Sequence, residues 1–120
     1  YAPHGDKGIE PSQYPQSVIE NNTFRQDQWR ASHLRTFKYK LWKELNHDDL
    51  KNEEGYYKVA YDQAIMLPLL EMAAERATYI PEVMHVYNRI NPLNVDKTKQ
   101  QEQFNTAQEV RAKRPYQRLP

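Results

Sequence analysis

Residues 62–76, DQAIMLPLLEMAAER, are the most hydrophobic stretch of the chain and decide its fold. Their apolar side chains surround most of a helix instead of forming one stripe, which is typical of a buried helix. Asp62 stands at the head of this stretch, where a carboxylate commonly acts as an N-cap. Pro68 lies inside it and is expected to kink the helix or loosen its first turns. The stretch therefore predicts a buried helix on which the rest of the chain packs.

A second patterned segment precedes this helix at residues 29–45. Its apolar positions recur at steps of three and four, as one helical face requires; they are Leu34, Phe37, Leu41, Trp42 and Leu45. The start of this predicted helix is open, because residues 29–33 also suit a strand or a loop. Residues 16–21 suit a short helix that the Asn21-Asn22 pair ends, and Gly55 marks a turn.

The remaining segments complete a single-domain outline of 120 residues. Residues 1–14 hold early glycines and prolines and predict an extended arm. Short strands are predicted at 78–80 and 83–87, on either side of Pro81. Residues 95–114 predict a terminal helix with a thin apolar stripe at its surface, and 115–120 predict a tail. The main body of this outline spans residues 15–94.

The composition excludes several classes of function. There is no cysteine, so disulfide frameworks, zinc–cysteine sites and thiol catalysis are ruled out. Seventeen basic residues against sixteen acidic ones name no charged partner. Nucleic-acid binding is not expected, because the basic residues near the C-terminus suit a solvated tail; they are Arg111, Lys113, Arg114 and Arg118. No apolar run approaches the roughly 20 residues of a membrane span, and no signal peptide is recognisable. A cytoplasmic location is the expectation.

Few residues carry a chemical signal by themselves. Asp62 heads an apolar helix, where it could either cap the helix or act as a general base in a cleft. Residues 47–49, His-Asp-Asp, have metal-ligand chemistry, although acidic residues at a helix start are common. His33 suits a polar position at a helix start, and His85 suits the solvent face of a strand. No phosphate-binding loop or dinucleotide-binding motif is present.

Three blocks of sequence together resemble the family 2-like glycosyltransferases. The first block is SHLRTF at 32–37, followed by LW at 41–42. The second is YDQAIMLPLLEMA at 61–73, and the third is IPEVMHVYNRINPLN at 80–94. The order and spacing of the blocks also agree with the family. Each block alone is weak, and the specificity lies in their combination.

This resemblance implies an α/β fold, the C-terminal half of the nucleotide-diphospho-sugar transferase (GT-A) fold, rich in helices with a few short strands. The N-terminal half of the family binds the nucleotide and carries an Asp-x-Asp metal motif. The chain resembles only the acceptor-side half. A divalent metal such as Mn or Mg is therefore expected only in a complete enzyme, with no cofactor or metal ligand in this chain.

By the resemblance, Asp62 matches the catalytic base of inverting members. His33, Arg35 and Arg89 are the expected substrate-binding residues. Arg35 and Arg89 could meet phosphate or acceptor groups, or they could pair with Glu71 or Glu82. Two departures from the family stand out: Tyr61 occupies a position where many members carry glutamate, and Asn91 lies where several carry a metal-approaching histidine.

The sequence thus predicts part of a sugar transferase that acts on a hydroxyl acceptor, such as an acceptor glycan. The chain alone is not expected to complete a catalytic cycle. The alternative is a non-catalytic interaction or carbohydrate-contacting module. The expected partner is a separate N-terminal half or a second copy of the chain. Self-association would use apolar surface left open on the central helix or an exposed strand edge.

Overall fold

The central helix forms where the hydrophobic stretch predicts it. The structure, a computed structural model, describes residues 11–86 and 90–120. Helix α3, Tyr61–Ala73, runs through Pro68 without ending and continues as a 3-10 turn, Ala74–Arg76. Most of its side chains are buried: Ala64, Met66, Leu67, Pro68, Leu69, Leu70, Glu71 and Met72. The prediction of a buried helix is confirmed.

The N-terminus of α3 differs from the prediction. The helix begins at Tyr61, so Ala60 is the N-cap, with a positive φ of 51° and no side-chain cap. Asp62 is therefore not the N-cap but lies in the first turn, where Oδ1 accepts a hydrogen bond of 2.9 Å from the Gln63 N–H. A carboxylate in this turn still interacts favourably with the helix dipole. Asp62 therefore interacts with the dipole at the helix N-terminus, although it does not cap the helix.

Besides α3, the described residues form four further α-helices and one hairpin. They are α1 (Gln16–Asn21), α2 (Tyr39–Glu44), β1 (Lys51–Asn52), β2 (Gly55–Tyr56), α4 (Val95–Thr98) and α5 (Gln100–Ala112), with a 3-10 turn at His47–Leu50. The strands pair antiparallel, with Lys51 opposite Tyr56. Gly55 has a φ of 111°, a conformation that favours glycine in this turn. Asn22 ends α1 in the left-handed conformation, as the Asn pair predicts.

The core lies on two sides of α3, which explains why the helix is apolar all round. Leu67 and Leu70 pack with Phe24, Leu45 and Val110 in one cluster. Met66, Leu69 and Met72 form a second cluster, covered by half-buried neighbours that include Trp29, Leu41 and Leu119. Full burial of such side chains contributes about 1.5–3 kcal/mol each. The helix is thus enclosed by both ends of the described chain.

A buried ion pair ties this core together. Arg25 Nε and Nη2 donate to the two oxygens of Glu71 at 2.6 and 3.0 Å, and Arg25 Nη1 donates to the Val110 carbonyl at 2.8 Å. The Tyr116 N–H donates to Glu71 Oε2 at 2.8 Å. These bonds join the loop before α2, helix α3, helix α5 and the C-terminal residues. Glu71 was a possible partner of Arg35 or Arg89 on sequence grounds, and the structure gives it Arg25.

Two sequence predictions of secondary structure are wrong. Residues 29–33, whose state the sequence leaves open, form a loop, but residues 34–38 are not helical either, and helix α2 covers only Tyr39–Glu44. The predicted strands at 78–80 and 83–86 form no ladder with any described residue; residue 87 lies outside the described residues. In both segments, tertiary packing overrides the weak secondary-structure propensity of the local sequence.

The C-terminal region matches its prediction in type but not in detail. The predicted helix is divided at Lys99, whose φ of −131° and ψ of 36° separate α4 from α5. Residues beyond α5 pack on the body: the Leu119 N–H donates to the Met72 carbonyl at 3.0 Å. Arg76 Nη2 donates to the Leu119 carbonyl at 2.7 Å. The predicted tail therefore lies against the end of the central helix.

The exposed apolar surface lies elsewhere than expected. The prediction that α3 leaves apolar surface open is wrong, because both core clusters cover it. The exposed large apolar side chains are concentrated instead in the segment that follows α3. They include Ile80, Val83, Met84, Val86, Ile90, Leu93 and Val95. Self-association remains a prediction, and this segment is the surface it would use.

Candidate functional site

An ion pair between Arg35 and Asp62 forms the centre of the candidate site. Arg35 Nη1 donates to Asp62 Oδ2 at 3.1 Å across 27 positions of sequence. The two side chains are 17% and 34% exposed, so the pair is accessible to solvent from the carboxylate side. The extended segment 29–38 delivers Arg35, and the first turn of α3 delivers Asp62. Both residues were sequence-predicted site residues, and the structure brings them together.

His33 joins the pair through Arg35. Arg35 Nη2 lies 2.9 Å from His33 Nε2. A guanidinium only donates, so Nε2 accepts and the ring is neutral with its proton on Nδ1. Burial, together with the charges of Arg35 and His85, lowers the pKa of His33, while Asp62 acts weakly in the other direction. The geometry and the direction of the pKa shift both favour a neutral imidazole.

His85 closes the site from the other side. Its ring lies 4.8 Å from the His33 ring, centroid to centroid, at an interplanar angle of 32°. His85 comes from the segment that was predicted to be a solvent-facing strand. Since that strand does not form, the segment instead crosses to His33. Sequence reasoning missed this contact, because nothing in a local pattern reports a pairing across 52 positions.

Arg35 is held from further directions. Its Nη1 also donates to the Ala31 carbonyl at 3.0 Å, and its guanidinium carbon lies 5.8 Å from the centre of the Trp29 ring. A cation over an indole face is attracted by the ring quadrupole. Sequence reasoning gave Trp29 no role, although an Arg and a Trp in one loop are a frequent stacking pair. Arg35 is consequently positioned before any ligand arrives.

Asp62 has partners on both oxygens. Oδ1 accepts from the Gln63 N–H at 2.9 Å, and Oδ2 accepts from Arg35. Each carboxylate oxygen has a second lone pair. A hydroxyl group that approaches from solvent can therefore donate to Asp62 without breaking either contact. The arrangement can orient a hydroxyl and accept its proton.

The site does not suit a metal ion. Within residues 11–86 and 90–120, no group of three or more His, Asp or Glu side chains could hold one. The nearest charge to Asp62 is the guanidinium of Arg35, which would repel a cation. In the 3-10 turn at His47–Leu50, Asn46 Oδ1 accepts from the Asp48 N–H and Asp49 accepts from the Tyr116 hydroxyl, which are structural contacts.

Comparison with known proteins adds no family. No protein-family model, curated protein or solved structure matches the chain. The site therefore has to be interpreted from its own residues and from the three blocks of sequence.

Arg89, the remaining predicted site residue, lies outside the described residues. The question of partners is settled for Arg35, which pairs with Asp62 and with neither Glu71 nor Glu82.

No helix among the described residues is long and apolar enough to cross a membrane.

Three of the four basic residues near the C-terminus have internal partners. Arg111 donates to the carbonyls of Arg25 and Asp27 at 2.9 and 2.6 Å. Lys113 donates to the Asp49 carbonyl at 2.9 Å. Arg118 pairs with Glu75. These contacts give the three basic residues a structural role.

Proposed function

We propose that this chain is the acceptor-side part of an inverting, nucleotide-sugar-dependent glycosyltransferase. One observation supports the proposal above the others: the three blocks that carry the family resemblance meet around His33 and Arg35. The first block supplies His33 and Arg35, the second supplies Asp62, and the third supplies His85. Segments that are far apart in sequence thus contribute polar side chains to one accessible place.

In this proposal Asp62 is the general base. The acceptor hydroxyl donates to Asp62 and attacks the anomeric carbon of the donor. The bond from that carbon to the diphosphate oxygen breaks, the nucleoside diphosphate leaves with the bonding electrons, and the hydroxyl proton goes to the Asp62 carboxylate. A positioned base contributes typically about 10²–10⁴ in rate. Arg35 is a positioning residue that fixes the carboxylate.

A second candidate function is a non-catalytic module that contacts carbohydrate or another protein. The observation that favours it is the engagement of both Asp62 oxygens, by Arg35 and by the Gln63 N–H. In that case the pair only fastens the segment 29–38 to helix α3. The two candidates differ in whether a neutral amide at position 62 can replace the carboxylate.

Ligand binding by the chain tests the proposal directly. Saturation-transfer NMR with a panel of p-nitrophenyl hexopyranosides is expected to show binding, with amide shifts at residues 31–35 and 61–63. Calorimetry with UDP- and GDP-hexoses in the presence of Mn²⁺ is expected to show no useful affinity, because donor binding belongs to the other half of the fold. Micromolar binding of a nucleotide sugar, or shifts confined to residues remote from Asp62, would refute the acceptor-side assignment.

A further inference from the structure

A cleft of about 570 Å³ opens beside the candidate site. His33 and Arg35 line it, and Asp62 does not. Most of the lining residues come from two segments, 30–41 and 76–84, the second of which follows α3. This volume lies within the range of about 300–1,000 Å³ that is usual for ligand pockets.

The interior of the cleft is apolar. Met66 and Leu69 of α3 line it together with Leu41 of α2. Exposed apolar side chains from both segments also line it: Leu34 and Phe37 from the first, Ile80 and Met84 from the second. Apolar surface that faces other apolar surface across a slot suits a hydrocarbon chain, because the chain removes both walls from water.

The charges around the cleft have one predominant sign. Five cationic side chains line it, namely Arg30, Arg35, Lys38, Lys40 and Arg76, against one carboxylate, Glu82. Arg30 is paired with Asp27, and Arg35 is paired with Asp62. Arg76 donates to the backbone carbonyls of Met72, Ala73 and Leu119. Lys38 and Lys40 are exposed, and neither forms an ion pair within the described residues. A ligand can therefore reach these two ammonium groups without displacing an internal contact.

We infer that this cleft binds an amphipathic phosphate, a hydrocarbon tail that carries a phosphate headgroup. The tail lies between the apolar walls, and the headgroup lies at Lys38 and Lys40. A phosphate monoester carries a charge of about −1.5 to −2 near neutral pH, which two lysines neutralise. A carboxylate would use only one of them. Binding of this ligand does not depend on the chemistry of Asp62, which does not line the cleft.

The experiment uses the chain with decyl phosphate, kept below its micellar concentration and followed by calorimetry and amide NMR. Saturable binding with shifts at residues 34–41 and 80–84 is expected, and it should weaken as salt screens the headgroup. The double variant Lys38→Gln/Lys40→Gln is expected to bind about fivefold more weakly, since exposed charges contribute modestly. Met84→Gln should also weaken binding, because it places an amide where the tail lies.

Matched controls separate this site from general adhesion. Lys43→Gln/Lys58→Gln removes the same charge from exposed positions outside the cleft and should leave binding unchanged. Val86→Gln is the control for Met84→Gln, because Val86 is exposed outside the cleft, and it should also leave binding unchanged. Equal binding of decyl maltoside, decanoate or inorganic phosphate would overturn the inference. Equal loss in both lysine pairs, as adsorption to any anionic surface produces, would overturn it as well.

Asp62→Asn distinguishes the two proposals. It removes the counterion of Arg35, so decyl phosphate should bind as tightly as before or more tightly. If decyl phosphate binds to both proteins while no glycoside binds to the wild type, the proposed transferase function fails and the phosphate site stands. If glycosides bind and decyl phosphate does not, the reverse conclusion follows.

Discussion

Two arginine–carboxylate pairs hold distant segments to the same helix, and they differ in their surroundings. Arg25 and Glu71 are 3% and 0% exposed, and every oxygen of the carboxylate has an internal donor. Arg35 and Asp62 are 17% and 34% exposed, and the carboxylate faces solvent on one side. The two pairs have the same chemistry, and only the second can meet a ligand.

The difference shows how burial decides the use of an ion pair. A buried pair is weak evidence for net stability, but breaking it leaves an uncompensated charge inside the protein. An accessible pair contributes little to stability, and either member can exchange its partner for a substrate group. Glu71 is thus a structural residue, and Asp62 is available for chemistry.

The largest expected effect is on stability and concerns the buried pair of Arg25 and Glu71, the closed pair. Glu71→Gln keeps the side-chain volume but leaves the Arg25 guanidinium buried without a counterion. We expect a loss of about 3–5 kcal/mol in the free energy of unfolding, a large share of the about 5–15 kcal/mol that is typical of a domain. Urea denaturation measures it.

Two controls accompany this variant. Glu75→Gln removes the exposed partner of Arg118 and should leave the urea midpoint almost unchanged. Arg25→Met/Glu71→Leu replaces the pair by apolar groups and should recover much of the loss. If Glu71→Gln were as mild as Glu75→Gln, the buried pair would not exist in solution.

Substitutions in the accessible pair of Arg35 and Asp62, the open pair, are expected to change activity instead of stability. In a complete transferase that contains this chain, Asp62→Asn should lower turnover about 10²–10⁴-fold, because an amide cannot accept the hydroxyl proton at neutral pH. The amide oxygen can still accept from the Gln63 N–H, so stability should change by less than about 1 kcal/mol. Turnover, donor affinity and melting temperature are measured together.

Arg35→Gln serves as the positioning control for Asp62. It should lower turnover less than Asp62→Asn while leaving the carboxylate in place. Full turnover in Asp62→Asn would assign Asp62 to fastening the segment 29–38, as in the second candidate function.

The sequence was most informative for the central helix, whose composition by itself indicates that it is buried. The stretch 62–76 is apolar on all sides, so its burial follows from composition alone. The segment 29–38 misleads because Leu34 and Phe37 have helical spacing relative to Leu41, yet they lie on a cleft wall. Periodicity reports which residues avoid water, and it does not tell a helix face from the side of a groove.

The site was only partly predictable for a related reason. Asp62, His33 and Arg35 stand in recognisable blocks, but no local rule gives Arg35 to Asp62 rather than to Glu71. The partner of Glu71 is Arg25, which carries no motif at all. Long-range ion pairs depend on which segments the core brings together, and a single sequence does not encode that in its spacing.

Tyr116, whose N–H donates to Glu71 of the closed pair, is next expected to affect stability at alkaline pH. Burial and the hydrogen bond to Asp49 raise the pKa of Tyr116, beside Glu71, to about 12. A raised pKa means that the folded state prefers the neutral phenol, so this stability is complete below the unfolded pKa of about 10. It is lost as the pH rises through about 12. Urea midpoints should fall between these values, and the fall should be smaller in Tyr116→Phe.

Tyr56 provides the matched control, since its side chain is exposed. Tyr56→Phe should retain the full alkaline loss. Tyr57 will contribute to the remaining slope of Tyr116→Phe, because burial and Glu109 raise its pKa to about 12 as well. Identical slopes in the wild type and Tyr116→Phe would contradict the contact with Asp49.

The smallest expected effect belongs to the open pair and appears near neutral pH. Burial, Arg35 and His85 lower the pKa of His33, so the folded state prefers the neutral ring that accepts from Arg35. A lowered pKa gives stability that is complete above the unfolded value of about 6.5 and is lost as the pH falls through the folded value. Between pH 7.5 and 5.5 the wild type should therefore lose stability more steeply than His33→Gln. His47→Gln, at an exposed histidine beside Trp42, should retain the wild-type slope. A slope that His33→Gln leaves unchanged would mean that His33 is not held between Arg35 and His85, and the third block would then have no place in the site.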